Sequence, residues 1–119
     1  SDAFFEEGSA ELNIEEARGT LLNLAKFFAS PEVADRRWRI EGHTDNRPVS
    51  ASSIYPSNWE LSAARAANVL HYLADFGVDE KQFSIAGYAD TRPKLSNDTA
   101  EGRAYNRRVD VIVLDDGHF

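Results

Sequence analysis

Arg37-Trp38-Arg39-Ile40-Glu41-Gly42-His43-Thr44-Asp45-Asn46 is the stretch on which the reading of this chain turns. Its first six residues alternate polar and apolar side chains, as a half-buried strand does. The run then becomes polar at once, through His43, Thr44, Asp45 and Asn46, and a long loop follows to Ser57 with Pro48 and Pro56 inside it. A loop of this length without structure of its own is uncommon and is often functional. Ser57 and Glu60 then form a capping box that opens a helix reaching about Phe76. Gly77 stands where a left-handed C-cap falls.

Nearer the N-terminus, Asn13 and Glu16 form an earlier capping box. The helix behind it places Ala17, Leu21, Leu24, Ala25 and Phe28 on one face, and Ser30-Pro31 ends it. Residues 3–7, before the Gly8 breaker, read as a short first strand. Phe83 to Tyr88 is the third strand, Ala89 to Asp98 a second loop, and Thr99 caps a short helix to Ala104 or Tyr105. The last strand spans about Arg107 to Leu114, with Val109, Val111 and Val113 alternating with Arg108, Asp110 and Ile112. The predicted order is β-α-β-α-β-α-β, which argues for helices packed on a sheet. The long helix is expected to bury Trp59, Ala63, Ala66, Val69, Leu70 and Leu73. Residues 115–119 are read as a frayed tail.

The chain has 119 residues, 42% of them hydrophobic, which suits one domain (1–119, core about 4–114) with a small core. Mean hydropathy is −0.48, ordinary for a soluble protein. No apolar run approaches the ~18 residues that span a bilayer, and no leader peptide is visible. The net charge of −7 disfavours nucleic acid, whose binding rests on a positive field. Cysteine is absent, so thiol chemistry and Cys-type zinc sites are excluded. His43, His71 and His118 show no metal-ligand spacing, so no metal and no cofactor is expected.

The unusual polar residues gather at Gly42 to Asn46 and at Asn58 to Arg65. Asn58, Ser62 and Arg65, spaced i, i+4 and i+7, share one helix face. A strand end followed by a helix start is a common ligand position in α/β folds. A carboxylate such as Asp45 accepts hydrogen bonds from an ammonium group, and a guanidinium such as Arg65 makes two parallel bonds to a carboxylate. Together they suit a zwitterion. A purely structural reading stands beside this one: Asp45 as a turn residue, Arg65 as a surface cation in a pair worth ~0–1 kcal/mol. His43 reads as a structural residue at a strand end, and Trp59 and Tyr88 as packing residues rather than a sugar platform.

Four motifs now stand in order: Ile40-Glu41-Gly42-His43-Thr44-Asp45, Leu61-Ser62-Ala63-Ala64-Arg65-Ala66, Gly87-Tyr88-Ala89-Asp90-Thr91-Arg92-Pro93, and Glu101-Gly102-Arg103-Ala104-Tyr105-Asn106-Arg107-Arg108-Val109. Over about residues 4–114 the chain resembles the OmpA-like peptidoglycan-binding domain. The loop, from Asn46-Arg47-Pro48-Val49 through Tyr55-Pro56-Ser57-Asn58-Trp59, resembles the form found in flagellar stator proteins of the MotB type, as does the opening Phe5-Glu6-Glu7-Gly8-Ser9-Ala10-Glu11-Leu12.

The resemblance implies an α/β fold, an α+β sandwich with helices on one mixed four-stranded sheet. It implies non-catalytic binding of peptidoglycan through the diaminopimelate of the stem peptide. The binding residues it implies are Asp45 and Arg65, with Asn58 and Thr44 beside them and Arg107 as a further contributor; Arg108 has a sheet-surface alternative. It implies a periplasmic module of a homodimeric stator protein, held in the inner membrane by an N-terminal helix absent here, with a MotA-type partner subunit. The alternative within the family is the wall anchor of another envelope protein or of a secretion system. A hydrolase built on His43 and Asp45 is the competing class, but no nucleophile elbow or metal cluster accompanies them. Arg47 departs from the family, standing where an acidic residue or a threonine is more familiar.

Overall fold

The computed structural model describes residues 4–114, so the tail at 115–119 lies outside the described residues. Its elements are α1 (Ile14–Phe28), β1 (Arg37–Gly42), α2 (Asn58–Asp75), β2 (Phe83–Gly87), α3 (Ala100–Asn106) and β3 (Val109–Leu114), with two 3-10 turns at Pro31–Val33 and Glu80–Gln82. Strand β1 is central. It pairs in parallel with β2, Ile40 opposite Ile85, and antiparallel with β3, Ile40 opposite Val111. Among the described residues no helix is long and apolar enough to cross a membrane.

The sheet has three strands among the described residues, not the four expected. The segment read as a first strand runs instead as bends and turns from Phe4 to Gly8. Its carbonyls find partners other than a ladder. Arg107 Nε donates to Phe5 O at 3.2 Å and Arg65 Nη2 to Glu6 O at 3.0 Å. Asn13 N donates to Phe4 O at 2.8 Å. Buried backbone acceptors need partners, and two guanidiniums and one backbone N–H supply them here without a neighbouring strand. Gly8, with φ of 74°, turns the segment in a conformation that suits glycine.

The core lies between the sheet and α1 and α2. Ala17, Leu21, Ala25 and Phe28 bury the predicted face of α1. Phe28 meets Trp38 and Phe83 edge-on, with centroids 4.8 and 5.2 Å apart. Ser57 caps α2 by accepting from Trp59 N and also bonds the Glu60 carboxylate, closing the predicted box. That bond holds the Glu60 carboxyl below its ordinary pKa. Thr99 caps α3 through Gly102 N. Asn13 precedes α1, but its side chain makes no capping hydrogen bond. Gly77 takes the left-handed conformation expected after α2, φ 95°.

The buried face of α2 is rotated from the expected one. It comprises Leu61, Ser62, Arg65, Ala66, Val69 and Leu73, while Trp59 is 54% exposed. Close approach to the sheet explains this. A Cβ on Gly42 would lie 1.9 Å from Ser62 O, and one on Gly87 would lie 2.6 Å from Ser62 Oγ. The two glycines let the helix settle on the ends of β1 and β2 along its polar edge. Ser62 and Arg65 are thereby carried inside.

Candidate functional site

Four of the five residues expected to bind ligand line one cavity. Thr44, Asp45, Asn58 and Arg65 face a space of about 380 Å³, lined also by Glu7 to Glu11 and by residues of the Arg47–Tyr55 loop. That volume suits one small ligand group. Arg107 does not line it. It stands behind Asp45, with Nη1 2.9 Å from Oδ2. Arg108 leaves for the other side, where it pairs with Asp110 and donates to Arg92 O.

Asp45 is buried at the end of β1. Its Oδ2 accepts from Arg107 and its Oδ1 accepts the Arg47 N–H at 3.0 Å. A carboxylate offers about four acceptor positions, so a further donor can be taken. Thr44 is fixed by its backbone. Its N–H donates to Ala89 O at 2.9 Å, and Ala89 N–H donates to Ser62 Oγ at 3.0 Å. Ala89 has a left-handed backbone, φ 54°, which costs a residue bearing a Cβ about 1 kcal/mol. Nothing in the spacing of Ser62, Ala89 and Thr44 along the sequence signals this relay.

Arg65 is fully buried on α2. Nε donates to Ser9 O at 2.8 Å, Nη1 to His43 O at 3.0 Å, and Nη2 to Glu6 O at 3.0 Å. The guanidinium also lies over the Phe5 ring, 5.0 Å from its centroid. Burial lowers its pKa to about 10, against the field of Asp45, with Arg107 adding to the fall. The group stays cationic at neutral pH. It therefore presents a fixed positive charge from beneath the cavity while three of its five N–H groups hold backbone. Asn58 sits at the first turn of α2 and donates from Nδ2 to Arg47 O at 3.0 Å.

A second polar group lies at the same strand end. Ligand atoms of Glu41, His43 and Asp110 lie within 4.8 Å of one another. Cations already attend both carboxylates: Arg39 on Glu41 at 2.9 Å, Arg108 and Lys94 on Asp110 at 3.2 and 3.9 Å. A metal ion there would meet their repulsion, so the arrangement is better suited to structure. His43 stacks on Tyr88 with centroids 5.5 Å apart, and the Arg92 guanidinium lies over the Tyr88 ring, 3.9 Å from its centroid. His43 Nε2 is 3.3 Å from Asp110 Oδ2, near enough for an ion pair but out of line for a hydrogen bond. Burial, then Arg108, lowers the His43 pKa, outweighing the pull of Asp110 and Glu41.

Comparison with known proteins gives three kinds of match. The model of the OmpA family matches residues 4–107. Motility protein B of Bacillus subtilis (strain 168) is 41% identical over 117 residues, covering 96% of this chain and 42% of that protein. Outer membrane porin F of Pseudomonas aeruginosa is 36% identical over 100 residues, covering 83% of this chain and 27% of that protein. The crystal structure of the periplasmic domain of Helicobacter pylori MotB superposes with a TM-score of 0.82 at 29% identity, covering 96% of this chain and 71% of that one. The chain spans less than half the length of the curated relatives it matches.

Proposed function

The chain belongs to the OmpA family, and on that premise we propose that it is a non-catalytic peptidoglycan-binding module that anchors a flagellar stator to the cell wall. The cavity takes the diaminopimelate end of a stem peptide. That end carries an ammonium and a carboxylate, and the cavity sets a buried carboxylate, Asp45, near a buried cation, Arg65. This juxtaposition is the observation that carries the reading. Thr44 and Asn58 border the same space, and Arg107 acts from behind by holding Asp45.

The stator assignment rests on kinship with motility protein B, whose name concerns movement, and on the long loop between β1 and α2. In this reading the module works in the periplasm, in a homodimer whose membrane part meets a MotA-type subunit. Two wall contacts per dimer gain avidity through effective concentration.

Co-sedimentation with purified sacculi tests the binding. The wild-type chain is expected to sediment with the wall, and Asp45→Asn to retain about a tenth of that binding or less, since a charge-assisted bond contributes about 1.5–3 kcal/mol. Equal sedimentation of both proteins rules out Asp45 as a contact. Soluble fragments released during incubation would contradict the non-catalytic part.

A further inference from the structure

The chain has two tryptophans, and they are placed in opposite ways. Trp38 is 9% exposed and meets the rings of Phe27 and Phe28 edge-on. Trp59 is 54% exposed, and its ring meets no other aromatic ring and no cation among the described residues. Helical spacing predicts a packing residue here, and the rotation of α2 leaves the ring outside. A ring left bare forfeits much of the free energy that its burial would supply. Its backbone, in contrast, is fastened at both ends. The N–H donates to Ser57 Oγ at 3.1 Å, and the carbonyl accepts from Ser62 Oγ at 2.9 Å. Trp59 lies outside the cavity lining but directly follows Asn58, which belongs to it, in the first turn of α2. The Cα–Cβ bond of a helical residue tilts toward the helix N-terminus, so the ring leans toward the end of α2 at which Asn58 stands. Its neighbours in sequence, Ser57, Asn58 and Glu60, are polar and exposed or half-buried. The other aromatic ring at this end of the sheet, Tyr88, is already taken up by His43 and Arg92.

We propose that Trp59 is a stacking platform for the sugar to which a bound stem peptide is joined, a second contact with the wall polymer outside the cavity. This rests on the peptidoglycan reading of the cavity. A stem peptide held by its diaminopimelate is attached at its other end to the glycan strand. Three extended residues span about 10 Å, so the sugar lies within short reach of the cavity. Trp59 stands one residue from the cavity lining, with its backbone fixed and its ring uncovered. A pyranose has a face of C–H groups and a rim of hydroxyl and acetamido groups. The face packs on an indole, and the rim meets the polar side chains of Ser57, Asn58 and Glu60. A protein partner would need a patch of about 800 Å² with an apolar centre, and one ring in polar surroundings is far smaller.

The test is a calorimetric titration with two soluble ligands, the tripeptide L-Ala-γ-D-Glu-diaminopimelate and the same tripeptide carrying its N-acetylglucosaminyl-N-acetylmuramyl disaccharide. The wild type is expected to bind the disaccharide form about three- to ten-fold more tightly, the range for one aromatic contact. Trp59→Ala is expected to bind both ligands equally, near the wild-type value for the bare tripeptide. Trp59→Phe is expected to keep part of the preference, since a smaller ring remains. The exposed Trp59 ring holds little in place, so unchanged thermal unfolding is the expected control. Fluorescence supplies a second readout. Wild-type emission should move to the blue with the disaccharide ligand and stay still with the bare tripeptide, and Trp59→Phe, which keeps only Trp38, should show no such move. A preference that survives in Trp59→Ala overturns the assignment to Trp59, and so does a wild type that binds both ligands alike. A wild type that binds neither ligand overturns the reading of the cavity itself.

Discussion

Thr44, Asp45 and Arg65, on the floor of the cavity, are between 0 and 3% exposed, whereas Ile54, on its outer wall, is 85% exposed. The floor is bound through backbone groups from three distant parts of the chain, by way of Arg65, Arg107 and Ala89. The wall from Pro48 to Tyr55 is held mainly by short local bonds, such as Ser53 N to Ser50 O and Tyr55 N to Ser53 Oγ. Arg47 joins the two through its backbone. Substitutions at the two places should therefore separate folding from binding. A change on the floor disturbs both together, while a change on the wall reaches the ligand alone.

Arg65→Ala is the most damaging way to break this contrast. It strips donors from three carbonyls and empties a buried site, so a loss of about 3–5 kcal/mol in urea unfolding is expected. Hydrogen exchange in residues 6–9 should rise with it, because the guanidinium fastens that segment. A loss below about 1 kcal/mol would place Arg65 among ordinary exposed cations.

Acid should act next, on the buried polar group beside the floor. The folded-state pKa of His43 lies below the ordinary 6.5. Below about pH 6.5 the unfolded chain binds this proton before the folded chain does. The stability that neutral His43 contributes is therefore present above 6.5 and lost as pH falls toward the lowered folded value. The slope for one group cannot exceed about 1.4 kcal/mol per pH unit. His43→Gln should flatten the pH profile of unfolding over this window, and an unchanged profile would show that His43 is not the group responsible. On the wall, Ile54→Ser should change stability by under about 0.5 kcal/mol. A larger loss would mean that the loop is packed more firmly than its exposure indicates.

The sequence was a good guide where structure is local. Arg37–Gly42 forms the predicted strand, Ser57 and Thr99 cap as expected, and Gly77 ends α2 in the left-handed conformation. It misled where partners are distant. The segment at 3–7 has the composition of a strand, but its carbonyls are taken by Arg65 and Arg107, 59 and 102 residues away. Helix α2 buries Ser62 and Arg65 in place of Trp59, because the glycines of β1 and β2 admit the helix along its polar edge. Hydrophobic periodicity cannot foresee that choice. In the candidate site, Thr44, Asp45, Asn58 and Arg65 could be picked out beforehand and do share one cavity. The acidic wall at Glu7 and Glu11 and the fastening of Arg47 depend on how the N-terminal segment and the loop fold over that floor.

The most direct test of the whole account is an NMR titration of the 119-residue chain with the free diaminopimelate tripeptide. Saturable amide shifts are predicted at Thr44, Asp45, Arg47 and Asn58, around the cavity between floor and wall. The shallow depression at Leu95, Ala100 and Tyr105 should stay silent. Shifts centred on that depression, or none at all at saturating peptide, would contradict the account.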